Sequence, residues 1–337
     1  MANLKEQLSS SVKNFAYVVK SGDTSVTDMA ALVDATSQLP LSKFNYWERL
    51  IRSEYEMVLE RSTRKRLRFW LKRRELLTWL DLISWDGYRR ERALRAISEG
   101  APNAFFFSMA LRRLNDWVPQ VRKAAIEKLP IIAKKTKPSH VVEALCVAFS
   151  NWNSWGRIEE AGKRALLRIA SVEEVSEPFK EKLIFSTSGP MPSVFAQLGR
   201  TTTLDSNLFE IAERAIQPSV RAKAYRSLFE GRMVWIEGWK WEWKDIYRSE
   251  WKRKLILSER ILDIPVSLMN LLEKSSEDRS SFVRRISAEF LIRNLENLGD
   301  NAYYFAQKFS LDSASPVSER GRFALKKLRE SNCHNLS

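Results

Sequence analysis

The cations of one short segment carry the clearest chemistry in this chain. Arg61, Arg64, Lys65, Arg68 and Lys72 fall within a stripe of about 100° if the segment is a helix. The opposite side of that helix is mostly apolar, which indicates that packing orders the stripe; it carries Leu67, Trp70, Leu71 and Leu77. A row of such groups is suited to neutralising phosphates, and arginine favours forked contacts to them.

Further cations extend the predicted basic surface along the chain. Residues 61 to 95 contain 12 Arg or Lys and 4 Asp or Glu, and so hold over half of the net charge of +15. We expect a concave basic track that binds nucleic acid, with DNA favoured, through a duplex backbone and without base specificity. Two alternatives stay open: an acidic protein partner, or a solvated face without a ligand. Beyond the stripe, the predicted track contains Arg73, Arg89, Arg92, Arg95, Arg112, Arg113, Lys123, Lys134 and Lys135.

A second candidate surface is the tryptophan-rich segment 234–243. Trp239, Trp241 and Trp243 share one face of a strand, and Lys240 and Glu242 lie on the other. The Glu237-Gly238 pair between two such runs predicts a β-hairpin. We expect Trp235, Trp239, Trp241 and Trp243 to hold a protein partner, with a lid over the protein's own helices and a stacking platform for bases as alternatives.

Several chemistries are disfavoured by composition. Two cysteines and two histidines give little material for a metal site or a nucleophile–histidine dyad, and the 11 glycines form no phosphate-binding loop. We therefore expect no cofactor, no metal and no small-molecule substrate. The cysteine usage, the lack of long apolar runs and the absence of an apolar block near the start predict a cytoplasmic protein without membrane contact.

The elements that must position these residues are helices. Apolar residues recur at helical spacing, and turn signals separate blocks of about 10 to 18 residues, which predicts stacked antiparallel helix pairs. A cassette also repeats: a β-branched residue, Arg, two spacers, Ala, three spacers and Leu. It occurs around Arg122 and Arg221, and aligned small residues stand at Ala93, Ala125, Ala165, Ala224, Ala288 and Ala324.

The copy from Asp116 to Leu129 resembles the second helix of HEAT repeats. The resemblance implies an α-solenoid in which Asp and Arg of successive repeats form a polar ladder. Asp116 with Arg122 fits that pattern well and Asp86 with Arg90 fits it loosely, whereas the Arg221 copy lacks the Asp. Gly162 and Gly321 stand where the copies at Ala165 and Ala324 would have Arg.

The same resemblance implies one enzymatic alternative. A branch of HEAT-like proteins excises alkylated bases from DNA with Trp and acidic side chains. Two pairs four residues apart match that chemistry here, Trp155 with Glu159 and Trp241 with Asp245. Such pairs also arise by chance in a chain with 12 tryptophans.

The sequence thus predicts an all-α, HEAT-like α-solenoid with a small inserted hairpin. We expect a helical cap over 1–43, basic repeats over 44–230, the hairpin insertion over 231–254 and further repeats over 255–331. The predicted function is non-enzymatic: nucleic-acid binding by an adaptor for a nucleic-acid-handling complex. The alternatives are a purely protein-binding scaffold and the DNA glycosylase.

Overall fold

The fold is all-α with one two-stranded antiparallel sheet. The computed structural model describes residues 2–21, 27–63, 77–245 and 247–334. The helices are α1 (Ala2–Ser21), α2 (Thr27–Ser37), α3 (Phe44–Thr63), α4 (Gly87–Ala96), α5 (Ala104–Arg112), α6 (Pro119–Lys135), α7 (Pro138–Asn151), α8 (Glu160–Ala170), α9 (Glu173–Phe185), α10 (Met191–Leu198), α11 (Leu208–Arg214), α12 (Pro218–Glu230), α13 (Leu268–Ser276), α14 (Ser281–Arg293), α15 (Asp300–Ser310) and α16 (Ser315–His334), and the strands are β1 (Arg232–Asp245) and β2 (Glu250–Ile261).

The chain forms two compact units, Met1–Pro178 and Phe179–Ser337. The boundary falls within α9 rather than in a linker. Within the described ranges, every helix is too short or too polar to cross a bilayer.

In the first unit the helices contact one another in two rows. Helix α4 contacts α6 and α6 contacts α8, while α5 contacts α7. Local signals set the helix starts: Asp86 and Asn103 accept backbone N–H groups at the starts of α4 and α5, and proline opens α6 and α7. The buried face of α6 carries the cassette residues Val121, Ala125 and Leu129. The repeating apolar positions are therefore the packing positions.

In the second unit α12 contacts α14 and α14 contacts α16, which corresponds to one of these rows. Ala224 and Ala324 are buried in the seam as the cassette predicts. In α14 the predicted small residue Ala288 is also buried, but the forked arginine is offset by one residue from the predicted alignment. That arginine is Arg284 rather than Arg285, and the small residue three positions on is the buried Ser287.

The arginines of the cassette link neighbouring helices in one recurring geometry. Arg90 donates through Nε and Nη2 to the carboxylate of Asp116, at 2.9 and 2.6 Å, and through Nη1 to the backbone oxygens of Ser84 and Trp85. Asp116 in turn accepts the N–H of Val118 at 3.0 Å. Arg90 thus connects the loop before its own helix, α4, with the loop before α6.

Two further bidentate arginine–aspartate contacts lie in the second unit. Arg221 forks onto Asp278 at 2.7 and 2.8 Å, and Arg284 forks onto Asp312 at 2.6 and 2.9 Å. Asp278 thus supplies a carboxylate that the Arg221 copy of the cassette lacks, from 57 residues further along the chain. Asp86, the loosely matched acid, instead caps the start of α4 through the N–H of Tyr88.

The hairpin is present, but its turn is not at Glu237-Gly238. Strand β1 runs straight through that pair, and the connection to β2 follows Asp245. Ile236 pairs with Leu257 and Gly238 with Ile256, so Glu237 is an extra residue without a cross-strand partner. The pair is a β-bulge inside a longer strand. The hairpin consequently spans 232–261, beyond the predicted 234–243 and 231–254.

Candidate nucleic-acid interface

Part of the predicted basic track lies outside the described residues. Those positions are Arg64, Lys65, Arg68, Lys72 and Arg73. Arg61 lies in the last turn of α3.

Several of the remaining cations are neutralised by neighbouring acids. The Nε atom of Arg89 lies 2.7 Å from the buried carboxylate of Asp81. Arg95 pairs with Glu91 and Glu127 on the surface. Arg113 contacts Glu48 at 2.6 Å and Asp116 at 3.0 Å. Such pairs leave little charge for a ligand.

The lysines of the predicted track and Arg92 do not line a common pocket with these residues. Arg92, Lys123 and Lys134 are exposed, and Lys135 donates to the backbone oxygen of Ser98 at 2.6 Å. Among the described members of the track, Arg89, Arg95 and Arg113 thus have acidic partners, whereas the exposed members remain a prediction.

The described residues form a depression of about 530 Å³ in the first unit. Its wall is built from α3, from the loops before α4, α6 and α8, and from the turn after α5. Arg52, Arg112 and Arg157 with the rings of Trp85 and Trp117 define what we call the arginine–tryptophan depression; Glu48, Arg90, Arg113 and Asp116 also line it. Arg112 and Arg113 are the two predicted track residues that lie there.

Positive charge is in excess in this depression. Five arginines face two carboxylates, and the forks of Arg90 and Arg113 occupy Asp116 and Glu48. Arg52 reaches Glu48 at 3.4 Å as a further partner of that shared carboxylate. Within the described part of the chain, Arg112 and Arg157 have no acidic side chain at ion-pair distance. Three cationic charges are thus left uncompensated.

Burial makes this excess charge costly in the absence of an anion. It lowers the pKa of the Arg52 guanidinium, which the charges of Arg113 and Arg90 lower further against the opposing carboxylate of Glu48. Burial likewise lowers the pKa of Arg112, with Arg113 adding to the effect and Glu48 opposing it. A phosphate or carboxylate that entered the depression would stabilise the charged forms of both guanidinium groups.

Two tryptophan rings stand at the rim. Trp85 is 70 % exposed and Trp117 is 76 % exposed. The guanidinium carbon of Arg52 lies 4.6 Å from the ring centroid of Trp85, and that of Arg157 lies 3.2 Å from the ring centroid of Trp117. These cation–π contacts orient rings that otherwise face solvent.

The predicted glycosylase pairs have structural contacts of their own. Trp155 is 7 % exposed beneath the Arg112 guanidinium, and Glu159 accepts hydrogen bonds from Arg122 at 2.9 Å. On the hairpin, Trp241 is exposed, whereas Asp245 accepts the N–H groups of Tyr247 and Arg248 in the turn. Both carboxylates are thus engaged by donors from the protein.

The hairpin tryptophans divide between two environments. Trp235 is buried beside Arg200, and its indole N–H donates to Glu237 at 3.0 Å. Trp239, Trp241 and Trp243 are 45, 67 and 45 % exposed, and Trp243 stacks on Trp251 with ring centroids 3.4 Å apart. Trp235 is therefore the buried member of this group, and the other three present a large part of their surface to solvent.

Sequence reasoning missed four members of the depression: Arg52, Trp85, Trp117 and Arg157. A signal for three of them was present in the cassette. Trp85 and Trp117 each stand five residues before the arginine of their copy, and Arg157 stands five residues before Gly162. Arg52 has no such signal, because α3 lies outside the cassette series.

Comparison with other proteins adds no precedent for this site. No protein-family model, curated protein or solved structure matches the chain. Function is therefore inferred from the side chains of the depression and their contacts.

Proposed function

We propose that this protein binds nucleic acid without catalysis, through the phosphate backbone, at the arginine–tryptophan depression of its first unit. The single observation that carries the proposal is the excess of three partly buried guanidinium groups, those of Arg52, Arg112 and Arg157, in one depression. Phosphates would supply the missing negative charge, and each contact would release a counterion. Arginine suits this role because its fork matches two phosphate oxygens.

We further propose that both units are HEAT-like helical stacks. Supporting this are the rows of helices in contact and the fork from Arg to a later Asp, which recurs at Arg90, Arg221 and Arg284. In a stack of this kind, loops at equivalent positions of successive repeats recur along one edge. Such an edge would bring the loops before α4, α6 and α8 to the same depression.

The alternative ligand is an acidic protein surface. Guanidinium groups fork onto carboxylates as readily as onto phosphates, so charge alone does not separate the two partners. The exposed rings of Trp85 and Trp117 favour nucleic acid, because bases offer flat π-faces for stacking.

The test is binding of a labelled oligonucleotide to the full chain by fluorescence anisotropy at 50 and 200 mM salt. We expect Arg112→Glu and Arg157→Glu each to weaken binding by about tenfold at the lower salt, since one charged hydrogen bond is worth about 1.5–3 kcal/mol. Each lost phosphate contact should also reduce the salt slope by about 0.7–0.9.

Arg226→Glu in α12 is the matched control. It makes the same change in net charge at a half-exposed arginine of the second unit. Unchanged binding in this variant assigns the effect to the depression. Binding to polyglutamate with no binding to oligonucleotides would establish the acidic-protein alternative instead, and salt-insensitive binding would also refute the proposal.

A further inference from the structure

The two exposed tryptophans of the depression occupy equivalent positions in successive cassettes. Trp85 precedes Arg90 by five residues, and Trp117 precedes Arg122 by five. In both cases the arginine Nη1 donates to the backbone oxygen of the tryptophan, at 3.0 Å for Trp85 and 3.4 Å for Trp117. The protein thus presents two rings in the same way from neighbouring loops.

Each ring is held before any ligand arrives. The backbone oxygen of the preceding residue, Ser84 or Asp116, accepts from the same arginine Nη1, at 2.8 and 3.0 Å. The side chains of Arg52 and Arg157 cover part of the rings. The remaining ring surface faces solvent. Rings held in this way lose little conformational freedom on binding, which favours their use as platforms.

The separation of the two platforms selects the form of nucleic acid. Helices α4 and α6 pack against each other, and packed helices lie about 8–10 Å apart, so the loops before them repeat at that interval. The bases of an undistorted duplex cover one another's faces, at about 3.4 Å per nucleotide of each strand, so a ring can stack between them only if the duplex is kinked. An unpaired strand can splay its bases to match helical repeats, about one base per repeat.

We infer that the depression takes a single strand, with bases stacked on Trp85 and Trp117 and phosphates on Arg112 and its neighbours. This inference rests on the proposed function and replaces the duplex expected from the sequence. Arg112, which lies over the buried ring of Trp155 at 5.3 Å, is a phosphate partner that no carboxylate occupies among the described residues. The strand would be recognised by its backbone and its unstacked bases, with little dependence on base identity.

The test compares a mixed-sequence single strand with a duplex of the same sequence, each titrated against the full chain. Trp85→Ala and Trp117→Ala should each weaken single-strand binding by about tenfold, because stacking of one base contributes about 1–3 kcal/mol. Duplex binding should change by less than twofold. Trp117→Phe should retain most single-strand affinity, because a phenyl ring still stacks.

Tyr304→Ala provides the control for loss of an exposed aromatic ring, since Tyr304 lies in α15 of the second unit. We expect it to leave both affinities unchanged. If the tryptophan variants bind both forms like the wild type while Arg112→Glu weakens both, the inference is wrong and the proposed function stands. If Arg112→Glu changes neither affinity, the proposed function itself fails. Equal losses for strand and duplex in the tryptophan variants would also overturn the single-strand assignment.

Discussion

Asp116 is the residue on which the first unit's polar contacts converge. Its carboxylate accepts two hydrogen bonds from Arg90, one from Arg113 and one from the N–H of Val118, and all four distances are 3.0 Å or shorter. Arg90 and Arg113 are themselves buried. A carboxylate that balances two buried guanidinium groups is needed for stability whether or not a ligand is bound, because either cation alone would be expensive to bury.

Stability of the first unit should therefore depend on the ionisation of Asp116. Burial alone would raise the pKa of this carboxyl, but hydrogen bonds from Arg90 and Val118 and the charge of Arg113 outweigh it, so the pKa lies below its ordinary value. Because the folded pKa is the lower one, the stabilisation is present above about pH 4 and is lost as the pH falls through the folded pKa.

The measurement is the free energy of unfolding between pH 3 and pH 6 for the wild type and Asp116→Asn. We expect the variant to be less stable at pH 6, and the difference between the two proteins to shrink towards pH 3. A difference that stays constant over this range would show that Asp116 contributes through packing rather than through its charge.

Arg221 should be the most sensitive side chain of the second unit. It is 1 % exposed and forks onto Asp278, so Arg221→Met leaves a buried carboxylate unpaired. We expect a loss of about 3–5 kcal/mol in the free energy of unfolding, measured by denaturant titration. Adding Asp278→Asn should recover part of that loss, because the uncompensated charge is removed while the acceptor for Ser280 N–H remains.

The β-bulge at Glu237 decides on which face of β1 each tryptophan lies. Trp235 pairs with Ser258 and Trp239 with Leu255. Those partners are three residues apart on an uninterrupted strand, so they lie on opposite faces. If β1 were regularly paired along its whole length, Trp235 and Trp239, which are four residues apart, would share a face. The bulge thus lets one strand anchor Trp235 in the helices and expose Trp239, Trp241 and Trp243.

Deletion of Glu237 should accordingly be tolerated. It removes the unpaired residue while every cross-strand pair on both sides is retained, so Trp243 stays against Trp251. We expect the exciton couplet of these stacked indoles to persist in circular dichroism. The stability loss should be about 1–3 kcal/mol, from the Arg200–Glu237 pair and from the buried Trp235 indole N–H that loses its acceptor.

Trp251→Ala supplies the reference spectrum, because it must abolish the couplet if these two rings produce it. A deletion variant whose spectrum resembled that of Trp251→Ala would contradict this expectation, because it would show that the pairs beyond Glu237 are not retained without the bulge.

The two compact units each contain their own bidentate arginine–aspartate contacts. Arg90, Asp116 and their partners belong to the first unit, and Arg221, Asp278, Arg284 and Asp312 belong to the second. Asp116 and Arg221 have no hydrogen-bond partner in common among the described residues. Changes at the two positions should therefore act independently.

Hydrogen exchange on the double variant Asp116→Asn/Arg221→Met tests this independence. We expect protection to fall in peptides of residues 1–178 as in the first single variant, and in peptides of residues 179–337 as in the second. A loss in both units from either single change would show that they unfold as one body.

Local sequence determined most of the secondary structure. Helical periodicity, prolines at helix starts and capping residues such as Asn103 act within a few neighbouring residues, so they are visible without a fold. The cassette around Arg122 and Arg221 also marked the buried small residues Ala125 and Ala224. The alternation in 239–243 likewise placed three tryptophans on one strand face, opposite Lys240 and Glu242, whose charges interact.

Which cations lack an acidic partner is set by contacts between segments that are distant along the chain. Arg95 and Arg112 look alike in the sequence, yet Arg95 pairs with Glu127 from another helix, whereas Arg112 lies over the ring of Trp155 and has no ion-pair partner among the described residues. Arg52 joins the depression from α3, some sixty residues before Arg112 along the chain. Charge compensation depends on contacts between distant segments, and Coulomb energies fall with distance in space rather than in sequence.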